Sequence, residues 1–199
     1  RTSPFGFGGN GMTDLPMHPE PPSSPPDPGL VVLGRFQPVH RGHALMMAAA
    51  EEWRLLNTPE LRLIIAIGSS NRPESIGNPW SAEEREAMLG AWLADKDGFE
   101  DVLIVAIPDI DDPPNWVAHA EKYHGSAGIF FTSDLPSADL YETGGWQVVR
   151  IPLEQRERFE GWRVRATAQM MSTIDDDDAV RAVLSPAVPS AVVEHLIET

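Results

Sequence analysis

Hydrophobic and polar positions along the chain follow two alternating periods. Five short runs are nearly continuous in apolar, largely β-branched residues: 31–35 (VVLGR), 61–68 (LRLIIAIG), 102–107 (VLIVAI), 128–132 (GIFFT) and 147–151 (QVVRI). Continuous apolarity is the mark of strands covered on both faces. Between these runs the period lengthens to that of a helix. The stretch after the first strand puts Leu45, Ala49, Trp53 and Leu56 on one helical face, predicted to be the buried one. Ser81 followed by Glu84 is a capping box that opens a second helix, running to residue 93. Prolines 113 and 114 begin a helix over 113–124, a short one is predicted at 137–142, and two more at 164–174 and 189–197. Strand alternating with helix implies βαβ units. The predicted fold class is therefore α/β, a Rossmann-like doubly wound parallel sheet in a single domain over residues 30–199, with C-terminal helices. Such sheets bind ligands outside the carboxyl ends of their strands, where the strand order reverses. The first strand ends at Gly34-Arg35.

Residues 1–29 break the pattern. Eight prolines, five glycines and no period mark them as a disordered, Pro/Gly-rich extension.

Composition narrows the picture. A chain of 199 residues, 42% hydrophobic, can bury a substantial core. No apolar stretch approaches the roughly 18–20 residues that cross a bilayer, so no membrane partner is expected. Cysteine is absent, which excludes disulfides and thiolate metal sites and fits a cytoplasmic protein. The net charge of −15 argues against nucleic-acid binding, which needs a basic face. Thirteen of the fifteen basic residues are arginine. Acidity with so little lysine fits a high-salt cytoplasm or simple solubility alike. An anionic ligand must then be held by a local group of Arg and His working against the overall field.

The candidate chemistry lies in VVLGRFQPVHRGHALMM, Val31 to Met47. His40 and His43 share one face at the start of a helix. Free backbone N–H groups and a partial positive charge make such a helix end suitable for phosphate. Gly34 would let a ligand approach the strand end, and Arg35 adds a guanidinium fork. On these residues alone, two solvated histidines or a metal pair remain open readings, although no third metal ligand with suitable spacing is at hand.

The segment GRFQPVHRGH resembles the first motif of the archaeal-type nicotinamide-nucleotide (NMN) adenylyltransferases, within the HxGH nucleotidyltransferase superfamily. Similarity continues in GSSNRPESIGNPWSAEEREAML (68–89), in IPDIDDPPNWVAHAE, and in FFTSD followed by GWQVVRI. The family's late, hydroxyl-rich turn is not recognisable in FEGWRVRATAQMMS (159–172), where the best placement puts Arg165 at the family's phosphate-binding arginine, with Arg163 as substitute. The IDDDDAV that follows reads as a longer, acidic loop.

The resemblance implies transfer of AMP from ATP to the 5′-phosphate of NMN, giving NAD and pyrophosphate. It implies that Arg35, His40 and His43 act on the phosphates, and that Gly34, Phe36, Ser133 and Arg165 complete the ATP site. Asn78 and Trp80 would shape the NMN pocket and Trp116 would stack on the nicotinamide, against the plain alternative of a core aromatic. Ser81 would only cap its helix, and Arg85 has a plain reading as a solvated helix-face charge. Magnesium is expected to enter on the ATP phosphates with no protein metal site, and symmetric homo-oligomers are implied. The competing readings are an adenylyltransferase for a different phosphomonoester and a non-catalytic nucleotide-binding homologue.

Overall fold

The structure is a computed structural model that describes residues 15–152, 164, 165, 167, 168, 171 and 175–199. Its centre is a five-stranded, wholly parallel sheet of order β3-β2-β1-β4-β5, built from β1 (Gly29–Gly34), β2 (Arg62–Ile67), β3 (Leu103–Ala106), β4 (Ile129–Thr132) and β5 (Gln147–Arg150). The order reverses between β1 and β4, as a doubly wound sheet requires. β1 and β2 pair in register from Gly29–Arg62 to Gly34–Ile67, so their carboxyl ends finish level.

Alternate strand residues feed two cores. Leu30, Val32, Leu63, Ile65, Ile67 and Phe131 face one layer, which receives α1 (Arg41–Asn57) and α2 (Ala82–Ala94). Val31, Ile64, Ala66 and Phe130 face the other, against α3 (Trp116–His124) and α4 (Leu135–Thr143). The C-terminal α5 (Asp177–Leu184) and α6 (Ser190–Glu198) join the first layer through Leu184, Val192 and Val193. Helical residues Val164, Arg165, Thr167, Ala168 and Met171 fall within the helix expected at 164–174. No helix among the described residues is long and apolar enough to cross a membrane.

Three expectations are corrected. Burial on both faces holds for β1, β2 and β4 but not for the two edge strands: β3 is half-buried throughout, and Gln147 and Arg150 of β5 are exposed. The buried face of α1 is Gly42, Met46, Met47, Ala50, Glu51 and Arg54, while Leu45 and Leu56 are 55% and 77% exposed. The inward face accepts an ion pair because Arg54 meets Glu51 through two bonds, Nε to Oε2 at 3.0 Å and Nη2 to Oε1 at 2.5 Å, and donates to the carbonyls of Pro59 and Leu61. The acidic stretch after residue 174 is not a loop but the start of α5: Asp176 accepts from Ala179 N, and Asp177 and Asp178 sit in the first turn, where the helix dipole favours them.

Residues 15–28 lie against the domain, with Ser70 Oγ donating to the His18 carbonyl and Tyr123 OH to that of Pro19. Gly125 is tied to this contact: with φ at +86°, a Cβ there would stand 2.4 Å from the Pro26 carbonyl oxygen. Prolines cannot donate, but backbone carbonyls accept, and this segment is held through those of His18 and Pro19. Residues 1–14 lie outside the described residues.

Candidate active site

The site is built where β1 gives way to α1. Phe36, with a positive φ of 52°, turns its ring back over the strand end, and a Cβ on Gly34 would meet Phe36 Cζ at 2.9 Å. Gly34 thus makes room for Phe36; the space expected for a ligand is filled by that ring. Phe36 in turn packs on His43, ring centroids 4.6 Å apart, and His43 stacks on His40 at 3.7 Å with 24° between the planes.

The two histidines cap their own helix. His40 Nδ1 accepts from Gly42 N at 3.0 Å and His43 N at 3.4 Å, while His43 Nδ1 accepts from His40 N at 3.2 Å. Arg41 N donates to the Ala187 carbonyl and Ala44 N to that of His40. Each leading amide of α1 is therefore engaged, and the free N–H groups expected for a phosphate are absent. The tautomers follow: a ring nitrogen that accepts an N–H carries no proton, so both neutral imidazoles are protonated at Nε2. Burial, then Arg165, lowers the pKa of His40 to about 4. Burial, then His40 and Arg165, holds His43 well below the usual histidine range, against the opposing pull of the Pro38 backbone. Both are neutral hydrogen-bond groups at pH 7.

Beside them lies a cleft of about 520 Å³, lined by Arg35, Ser69, Arg72, Asn78, Asp109 and Arg165 together with residues 73, 75 and 77. Arg35, Ser69 and Asp109 come from the loops beyond β1, β2 and β3, so the cleft lies over the carboxyl ends of those strands. Arg165 reaches this site from the late helix and donates to the Gln37 carbonyl at 3.1 Å. Arg163 lies outside the described residues.

The other expected residues divide. Asn78 lines the cleft, but its amide is consumed by the protein: Nδ2 donates to the Arg72 and Pro73 carbonyls, and Oδ1 accepts from Gln37 at 2.6 Å and Arg35 at 3.4 Å. Arg35 also donates to the Gly77 carbonyl, so Asn78 and its turn aim Arg35. Trp80 does not line the cleft; it packs on the first core and is held by its backbone on Gln37. Trp116 packs, partly buried, against the second core and likewise does not line the cleft. Ser133, at the carboxyl end of β4, faces Met46 Sδ of α1 at 3.9 Å. Ser81 caps α2, as expected, by accepting from Glu84 N.

Sequence reasoning assigned no role to Gln37, Arg72 or Asp109, and left Arg85 with a plain alternative as a solvated charge. Gln37 is buried and links Asn78 to Trp80, which a polar residue in an apolar loop after a strand could have signalled. Arg72 binds Asp109 at 2.8 Å and also pairs with Asp111, tying the loop after β2 to that after β3. Asn71 reinforces the tie by bonding both the N–H and the carbonyl of Asp109. Arg85 is no solvated charge. It is fully buried beneath the cleft, and burial and then Arg35 lower its pKa to about 10, leaving it cationic at neutral pH.

The profile of the cytidylyltransferase-like family matches residues 31–150. The nicotinamide-nucleotide adenylyltransferase of Ignicoccus hospitalis is 32% identical over 134 residues, 67% of this chain and 75% of that protein. The enzyme of the same name from Haloarcula marismortui is 29% identical over 166 residues, covering 83% and 79%. In fold, the chain is similar to a bifunctional NMN adenylyltransferase/ADP ribose pyrophosphatase from Francisella tularensis, at TM-score 0.60 and 19% identity over 86% of this chain, and it spans 50% of that protein's length. The complex of that protein with AMP and a manganese ion gives 0.57 at 20% identity. With a family profile spanning most of the sheet and relatives matched over most of their own length, the chain belongs to the cytidylyltransferase-like family and, within it, to the nicotinamide-nucleotide adenylyltransferases.

Proposed function

We propose that this protein transfers AMP from ATP to the 5′-phosphate of NMN, forming NAD and releasing pyrophosphate. The observation that carries the reading is the grouping of Arg35 and Arg165 with two neutral histidines over the carboxyl ends of β1 and β2, in a chain of this family. The NMN phosphate, its second pKa near ~6, is largely a dianion at neutral pH and attacks the α-phosphorus without a general base. The bond from that phosphorus to the bridging oxygen of pyrophosphate breaks as the new one forms. What the protein must supply is alignment and stabilisation of the charge moving onto the pyrophosphate.

The roles fall out by position. Arg35 and Arg165 hold the phosphates, and His40 and His43 act beside them as uncharged groups that need no proton transfer. The acceptor occupies the cleft over β1, β2 and β3, and the adenosine lies toward Ser133 at the end of β4. Among the described residues no three His, Asp or Glu side chains converge as a metal site. A divalent ion enters with the ATP phosphates as part of the substrate. A different phosphomonoester acceptor is the second reading, favoured by one observation: Trp116, the aromatic that would recognise nicotinamide, is not in the cleft wall.

The test is to incubate the full chain with ATP, Mg²⁺ and NMN, at low and high salt, and follow NAD and pyrophosphate by chromatography beside His43→Ala. Stoichiometric products that fall by about 10²–10³ in the variant support the reading. ATP binding without NAD at either salt overturns it. The pH profile adds a second check: with His40 at about 4, no histidine limb appears above pH 5, and the rate climbs only with the acceptor's second ionisation near ~6.

A further inference from the structure

Arg85 is the largest fully buried side chain among the described residues, and its guanidinium lies under the cleft floor. It reaches there from the first turns of α2, where Ser81 anchors it by accepting from Arg85 Nε at 3.1 Å. Nη1 donates to the carbonyls of Arg35 at 2.9 Å and Gly68 at 2.7 Å, and Nη2 to that of Ser69 at 3.2 Å. These carbonyls lie just past β1 and β2, where the ladder no longer supplies donors. Two of their owners, Arg35 and Ser69, line the cleft. The cation thus holds two walls of the site by their main chain.

Its charge is the second observation. Among the described residues no carboxylate lies within ion-pair distance of Arg85, and none pairs with Arg35 or Arg165 either. Asp109, Glu83 and Glu84 act on Arg85 only through space, while Arg35 repels both Arg85 and Arg165. Arg35 set against two further arginines, one of them fully buried, is a costly arrangement unless something anionic completes it.

We propose that Arg85 is a positioning residue for the polyphosphate: it fixes Arg35 and Ser69 through their carbonyls, and the bound phosphates supply the counter-charge that no carboxylate among the described residues provides. The inference rests on the adenylyl-transfer reading for its effect on rate, but its effect on anion binding stands apart from the identity of the acceptor. Arginine is required because an ammonium cannot span carbonyls from three separate residues of two loops together with Ser81.

The experiment titrates the full chain calorimetrically with inorganic tripolyphosphate at two salt concentrations, and measures kcat and KM for ATP, in wild type, Arg85→Met and Arg85→Lys. Arg85→Met is expected to weaken tripolyphosphate binding by about tenfold or more and to flatten its salt dependence. Arg85→Lys is expected to recover most of that affinity while kcat stays down by about tenfold, separating charge from geometry. Tripolyphosphate binding in Arg85→Met equal to wild type overturns the proposal. Should Arg85→Met fail to fold, Arg85→Lys decides: reduced kcat at near-normal affinity supports it, and unchanged kcat overturns it. A wild type that binds tripolyphosphate yet makes no NAD removes the NMN reading and leaves the binding arm intact.

Discussion

Two buried arginines of this protein are chemically alike and differently used. Arg54 sits on the inner face of α1 with both nitrogens of its fork on Glu51, which holds its pKa above the usual value. Arg85 sits under the cleft on carbonyls alone, with its pKa lowered by burial and Arg35. The first cation is cancelled where it stands, so its work is confined to joining α1 to the turn before β2. The second keeps its field, and it keeps it where Arg35 and Arg165 add to it. Burial alone does not mark a functional charge. What separates the two is whether a carboxylate among the described residues pairs with the cation.

The strongest way to sharpen that contrast is to break the paired member. Arg54→Met leaves the Glu51 carboxylate buried without its cation, and breaking such a pair costs on the order of 3–5 kcal/mol of stability. Urea denaturation should show that loss, with the activity of the molecules that remain folded unchanged. Combining it with Glu51→Leu should return most of the stability, since an apolar pair of similar volume replaces the ions at little cost. A loss below about 1 kcal/mol in the single variant would contradict the paired reading.

Arg165→Ala should behave in the opposite manner. Its one described bond is to the Gln37 carbonyl, so the urea midpoint should barely move. The NAD-forming kcat/KM should fall by about 10²–10³, the range for a group that stabilises transition-state charge. A stability loss without a rate effect would put Arg165 with Arg54.

These two helices also show what was legible in the sequence. All five strands fall within two residues of their predicted bounds, because long apolar runs admit few alternatives. The face of α1 was misread because Leu45 and Leu56 look like core residues while the true inward pair is ionic, a choice made by tertiary context. His40 and His43 were legible as a pair, but not that their Nδ1 atoms fill the helix amides, which depends on rotamers. Arg85 was hidden for a related reason. An arginine in an acidic helix reads as solvated, and only the level finish of β1 and β2 brings the Arg35, Gly68 and Ser69 carbonyls together around it.

The histidine pair yields a prediction in acid. His40 has a pKa of about 4 in the folded chain against 6.5 in the unfolded one. The unfolded state therefore takes up a proton first as pH falls, so stability declines between pH 6.5 and about 4 and levels off below. The full loss from this group is on the order of 3 kcal/mol. His40→Ser, which keeps a capping oxygen and removes the titration, should flatten that portion of the stability curve in urea titrations from pH 7 to 4. Equal slopes in both proteins would show that the imidazole is not held neutral.

The smallest expected effect tests the comparison most finely, because it leaves every charge in place. Ser81 and Asp176 each cap a helix by accepting a backbone N–H, from Glu84 and Ala179 respectively. Replacing either by alanine should cost about 1 kcal/mol of stability. The two differ in what their helices carry: the Ser81 carbonyl anchors Arg85 Nε, whereas no residue of α5 lines the cleft. If Arg85 positions the site, loosening the start of α2 should raise the KM for ATP by about two- to threefold, corresponding to a few tenths of a kcal/mol passed to the phosphates. Asp176→Ala should leave KM where it was. Steady-state kinetics of the two variants, matched by their urea midpoints, separates the cases: parallel KM values would mean that Arg85 does not transmit the state of its helix, and that the buried cation is architecture after all.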